Sequence, residues 1–174
     1  MFGARWIPNI DVDRAELRTT LAYRFRPELQ AGIEYNPIAN DVGPIANWRA
    51  MAETSSRPAC IVGTSSDRIG TPHGRSIYAT LSKDLEAATG LPLAPYAGLA
   101  YGSFDDEVEP IGGVVVRWGK EWSTYHIWDG ENFHNLIETT RFAPHAFGLL
   151  VAQVDGHAFV GLTYSVGFAM PWER

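Results

Sequence analysis

The chain has 174 residues, is 45% hydrophobic and 20% charged, and carries a net charge of −6. That size suits one domain, and that much apolar area excludes a disordered chain. The acidic balance, with no basic block, argues against a nucleic-acid partner. Of 14 basic residues, only Lys83 and Lys120 are lysine. Arginine is the better residue for buried or lumenal ion pairs, because its planar fork meets carboxylates bidentately.

In chain order, short alternating runs predict β-strands at Gly3–Pro8 and at 14–26, 28–36, 44–53, 58–66, 75–83, 95–104, 111–118, 121–128, 132–140, 146–154 and 157–168. Turn signals divide them. Arg26-Pro27-Glu28 is a sharp reversal, and Gly119-Lys120 suits a type II′ turn. Asp129-Gly130 and Asp155-Gly156 suit type I′ hairpins. Helical periodicity is weak everywhere, and Ser82 to Thr89 is its best stretch. No linker or low-complexity tract breaks the chain, so residues 1–174 read as one domain.

The two faces of these strands differ in kind. Successive side chains on a strand point to opposite faces. One face takes Leu17, Leu21, Tyr23, Phe25, Ile33, Tyr35, Trp48, Ile77, Leu81, Leu99, Tyr101, Val114, Val116 and Trp118, then Ala158, Val160, Leu162, Tyr164, Val166 and Phe168. It carries no charge. The other face takes Arg18, Arg24, Arg26, Glu34, Arg49, Glu53 and Arg117 among small polar residues. Runs 58–66, 121–128, 132–140 and 146–154 do not resolve into faces. A soluble barrel or sandwich would show the same alternation with the apolar face inside. Three features favour lipid outside: aromatics near the ends of the apolar series, the scarcity of lysine, and a polar face rich in Gly, Ser, Thr and Ala.

The closing run Val160-Gly161-Leu162-Thr163-Tyr164-Ser165-Val166-Gly167-Phe168 resembles the terminal strand of bacterial outer-membrane β-barrels. The stretch Tyr96 to Gly130 resembles strands of uncharacterised or exopolysaccharide-associated barrels, and the chain as a whole resembles a small porin-like outer-membrane barrel. The resemblance implies a closed antiparallel up-and-down transmembrane β-barrel of 8–12 strands, with 12 preferred. It implies membrane lipid and the barrel-assembly machinery as partners. Leu162, Tyr164, Val166 and Phe168 would form the C-terminal assembly signal. One departure is that Ala169 to Arg174 follow the aromatic that normally ends such chains. Met1 to Arg5 is no signal peptide, so an outer-membrane address requires one that is missing or removed.

Chemistry-bearing motifs are sparse. Cys60 stands alone, and no zinc, EF-hand or phosphate-loop spacing occurs, so no metal or cofactor is expected. His134 and Glu138 share a strand face but lie about 13 Å apart. His126 and Asp129 flank a turn, and His145 and His157 sit at turns. The polar stretch Gly63 to Pro72 reads as a surface loop. The expectation is a barrel with the lumenal network Arg18, Arg24, Arg26, Glu34, Arg49, Glu53 and Arg117, in a structural or narrow-pore role and without catalysis. Its oligomeric state is open. Two alternatives remain: a soluble β-barrel holding an apolar ligand, and a lipid-modifying membrane enzyme using Ser65, Ser66 or His126.

Overall fold

A computed structural model describes residues 1–168. Its strands are β1 (Phe2–Trp6), β2 (Leu17–Arg26), β3 (Leu29–Asn36), β4 (Asp41–Met51), β5 (Ala59–Ser66), β6 (Arg75–Ser82), β7 (Leu93–Gly102), β8 (Glu107–Trp118), β9 (Trp122–Trp128), β10 (Phe133–Phe142), β11 (His145–Val154) and β12 (His157–Val166). Every strand pairs antiparallel with its chain neighbours, and β1 pairs with β12, so the sheet closes into a 12-strand barrel. Closure pairs the backbone amides of all strands and leaves no edge.

Two predicted boundaries shift for local reasons. Residues 14–16, expected as the start of a strand, belong instead to the short helix α1 (Asp13–Glu16). The second helical turn, α2, covers only Glu86–Thr89 and stops at Gly90, whose φ of 74° is the left-handed cap. At Asp155-Gly156 both φ values are positive (50° and 77°), as a type I′ turn requires. Asp129-Gly130 differs. Trp128 pairs with Phe133, leaving a four-residue loop in which only Gly130 has positive φ. The Asp129 carboxylate accepts the Glu131 and Asn132 amides (3.1 and 2.8 Å) and takes over the turn.

The apolar series faces outward. Leu21, Phe25, Ile33, Trp48, Ile77, Leu99, Trp118, Val160 and Leu162 are all exposed. Two of the strands that sequence left undecided join them: register with Leu81, Ala79 and Ile77 puts Cys60, Val62 and Thr64 outside. Register with Tyr164, Leu162 and Val160 does the same for Phe147, Leu149 and Val151. Exposed Trp118, Trp122, Phe142 and Phe147 gather towards the mouth that holds the chain termini, here the terminal mouth. Trp6, Tyr35 and Tyr101 lie towards the opposite, far mouth. If this belt meets lipid, Leu149→Arg or Leu162→Arg should cost about 2–4 kcal/mol. Denaturant titration in lipid vesicles measures it, and a neutral result at both positions would contradict a lipid-facing belt.

The wall curves tightly at two inner glycines. A Cβ on Gly32 would meet the Leu21 carbonyl oxygen at 2.0 Å, and one on Gly98 the Ala79 carbonyl oxygen at 2.0 Å. Neither position has room for any side chain.

The lumen is not empty. Between β1 and β2, residues 7–16 turn into the barrel. Ile7, Ile10 and Ala15 pack with Leu150, Ala152 and Val154 on the inner wall, joined by Ile69, Leu136 and Phe159. Ile7 and Ala152 are completely buried. This small apolar core fills one side of the lumen at the far mouth.

Candidate functional site

A second inward segment, residues 67–74 between β5 and β6, lies beside the first. Arg14 on α1 ties the two together. Its Nε donates to the Thr71 carbonyl (2.8 Å), and its Nη2 donates to the Arg68 and Asp67 carbonyls (3.0 and 3.3 Å) and to Thr71 Oγ1. The segment read from sequence as a surface loop is therefore a lumenal one. Sequence could not anticipate this, because the partners are backbone carbonyls, which any residue supplies.

Below these segments lies a cavity of about 410 Å³. Arg5 from β1 and Arg18 from β2 line one side with Ser65, Ser76 and Tyr78. Across the barrel stand Tyr96 from β7 and Glu109 from β8, with Asp129 and His134 beside them. Arg68 from the inward segment caps the acidic side. It pairs with Asp105, with Glu131 (2.6 Å) and, more distantly, with Glu109 (4.0 Å). The far mouth therefore has an arginine side and an acidic side, where the single Arg68 guanidinium faces three carboxylates and leaves a net negative charge.

Of the seven residues expected to form a lumenal network, the structure joins two deep inside. Arg18 grips Glu34 through Nε (2.7 Å) and Nη2 (2.5 Å), and the Glu34 side chain is fully buried. Asn36 Nδ2 donates to the other Glu34 oxygen (3.0 Å), and Arg75 stands 3.8 Å from it. The other five ring the terminal mouth. Arg24 and Arg26 are exposed at the end of β2. Arg49 lies 3.9 Å from Glu28, Glu53 binds Lys83 at 2.9 Å, and Arg117 binds Asp84 (2.8 Å) and Glu86 (2.9 Å). Sequence reasoning missed Arg5, Arg14, Arg68 and Arg75. Only Arg5 had a usable signal, since it alternates with Phe2, Ala4 and Trp6 in β1. The assembly-signal residues Leu162, Tyr164 and Val166 fall on the outer face of β12; Phe168 follows it and is also exposed. Residues 169–174 lie outside the described residues.

The histidines divide between the two surfaces. His134 is buried inside. Its Nδ1 accepts the Gln153 amide (3.2 Å), so the proton sits on Nε2, which donates to Asp129 Oδ2 (2.6 Å). Burial pushes the Asp129 pKa up, but the His134 bond and the loop amides more than offset this and hold it below the usual carboxylate range. A depressed acid stabilises the fold above its unfolded pKa, and that stability is lost as pH falls through the folded value. The β9–β10 loop should therefore stay closed at neutral pH and loosen only below the ordinary aspartate range. Hydrogen exchange of the Asn132 amide should show this, and Asp129→Asn should remove the acid limb. Persistent protection of that amide in both proteins at low pH would contradict it. His126 is on the other surface, where its Nδ1 meets Asn135 Oδ1 at 2.7 Å. Ser65 lines the lumen while His126 faces out, so the wall separates the pair a lipid-modifying enzyme would need. Among the described residues no group of three His, Cys, Asp or Glu side chains is arranged to hold a metal ion.

A closed 12-strand antiparallel barrel, apolar outside and polar inside, is the architecture of porin-like β-barrels. The crystal structure of the NanC porin in a rhombohedral form has the same fold: TM-score 0.59, over 97% of this chain and 98% of that one, at 12% identity. No protein-family model matches the chain, and no curated protein matches it.

Proposed function

We propose that this chain is a bacterial outer-membrane barrel that acts as a narrow, loop-constricted channel for small polar solutes and performs no catalysis. The observation that carries this reading is the lumen: a cavity of about 410 Å³ in which Arg5, Arg18, Arg68, Glu109 and Asp129 share the lining with Ile111, Ile127 and Leu136, inside an apolar-faced barrel narrowed by segments 7–16 and 67–74. The exposed leucines and tryptophans of the belt favour lipid over water as the outer medium. They count against a soluble barrel with an apolar ligand inside. The even strand number and shared position of the termini match barrels whose termini face the periplasm, which directs the inward segments to the outer surface. The Leu162, Tyr164, Val166 and Phe168 edge would be read by the assembly machinery during insertion. The likeness to a structure described as a porin supports a channel role.

The test is refolding into detergent, then planar-bilayer recording. The expected result is a gel band that shifts on boiling, with small, discrete conductance steps. A closed barrel that inserts and never conducts would leave a structural role and remove the channel. A protein that refolds in water without detergent would remove the membrane reading itself.

A further inference from the structure

Among the described residues, the outer face of β9 and β10 interrupts the apolar belt with a hydrogen-bonded polar pair. Following the hydrogen-bonding register, Lys83, Pro95, Val114, His126, Asn135, Val151 and Val160 form one continuous row. It starts at the β6–β7 connection on the terminal mouth. It ends where Val160 lies beside Trp6 and Pro8, as the chain leaves β1 at the far mouth. His126 and Asn135 are its middle rungs, and on their own strands they stand two residues in from the Trp128–Phe133 pair that closes the β9–β10 hairpin at the far mouth. Both are exposed. On β9, His126 lies between Trp122 and Trp128, and the Trp128 ring packs on Phe133 at 4.8 Å. The row neighbours Val114 and Val151 are aliphatic, and so are the nearby outward side chains Val116, Ile137 and Leu149; Thr124, in register between Val116 and Ile137, already accepts from Trp118 Nε1 (3.1 Å).

The pair satisfies itself only in part. A ring nitrogen and an amide oxygen at 2.7 Å require the proton on Nδ1. Nε2 is then an open acceptor, and the Asn135 amide keeps open N–H donors. Turning the amide over reverses both senses together: Nε2 becomes the donor and the amide oxygen the acceptor. Either way the surface shows one donor and one acceptor side by side, where lipid chains satisfy neither. A patch with both senses is complementary to itself. A two-fold axis would bring the Nε2 of one copy to the Asn135 amide of the other, twice over. The flanking valines, isoleucine and leucine give a flat ground for close approach.

We propose that the outer face of β8–β10, centred on His126 and Asn135, is a two-fold interface with a second copy of this chain inside the membrane. The inference rests on the membrane reading above, and its test keeps the two apart. The full chain is refolded into lipid nanodiscs or detergent, with Cys60→Ala as background. Mass is measured by native mass spectrometry, and closure by the heat-dependent gel shift. The expected result is a dimer in the wild type. The double variant His126→Phe/Asn135→Leu should be a monomer whose gel shift is unchanged. Ile137→Cys should cross-link between copies, while Leu21→Cys on β2 should not. A wild-type monomer with an intact gel shift would overturn the interface and leave the barrel standing. So would a dimer that survives the double variant, or equal cross-linking at Leu21→Cys. Loss of the gel shift in the wild type would overturn the membrane reading as well.

Discussion

Replacing Glu34 by leucine is expected to destabilise the barrel by about 3–5 kcal/mol, the usual cost of removing one partner of a buried ion pair. Glu34 is fully buried and is the acceptor on which Arg18, Asn36 and, more loosely, Arg75 converge. Without it, the Arg18 guanidinium faces Arg5 across the β1–β2 register with no compensating charge. Arg5 is already poorly served, because its Nε is buried without a hydrogen-bond partner. The double variant Arg18→Met/Glu34→Leu should recover much of the loss, since an ion pair exchanged whole for apolar groups of similar volume is often near neutral. Denaturant midpoints in lipid vesicles give all three values. Equal destabilisation by the single and double variants would show that side-chain shape, and not charge compensation, sets the cost. The terminal-mouth pairs make the contrast. Arg49 with Glu28 is solvent-exposed and long at 3.9 Å, so Arg49→Ala should change little.

How legible each part was follows from what each part depends on. The strands came through because period-two alternation is local, and a barrel wall imposes it on every strand. The final run from Ala158 to Val166 shows this best: it carries no charge and no break, and the structure turns its apolar series outward. Three of the four undecided runs failed for identifiable reasons. β5 has small residues on both faces (Cys60 and Thr64 outside, Gly63 and Ser65 inside), so no contrast develops. In β9 and β10 the outer series is interrupted by His126 and Asn135, the pair that breaks the belt. Arginine's abundance suggested a lumenal network, but alternation alone cannot say how far along the barrel a residue sits. Arg18 and Arg117 share a face by parity, yet Arg18 reaches Glu34 inside while Arg117 ends on Asp84 and Glu86 at the mouth. The inward course of residues 7–16 and 67–74 was not legible at all. It depends on contacts between segments more than 50 residues apart, such as Arg14 to Thr71.

Those long-range contacts set the second large effect: Arg14→Met should open the far mouth. Arg14 is almost wholly buried, and it holds segment 67–74 by bonds to three backbone carbonyls and the Thr71 hydroxyl. Hydrogen bonds from a charged donor contribute about 1.5–3 kcal/mol each. Losing even two of them shifts the docked–undocked balance of the segment by on the order of 10² or more, at tenfold per 1.4 kcal/mol. Methionine keeps the volume beside Ala15, so the apolar core around Ile7, Ile10 and Leu150 has no reason to collapse. The wall does not depend on Arg14, because strand pairing closes the barrel without it. The expected phenotype is a normal heat-dependent gel shift, a larger single-channel conductance, and faster trypsin cleavage after Arg68, which is largely shielded in the docked state. Cleavage that speeds up with no change in conductance would show that segment 67–74 is released without having constricted the pore. The constriction would then have to come from the apolar core of residues 7–16, where Ile7→Ala and Ile10→Ala become the variants that widen it.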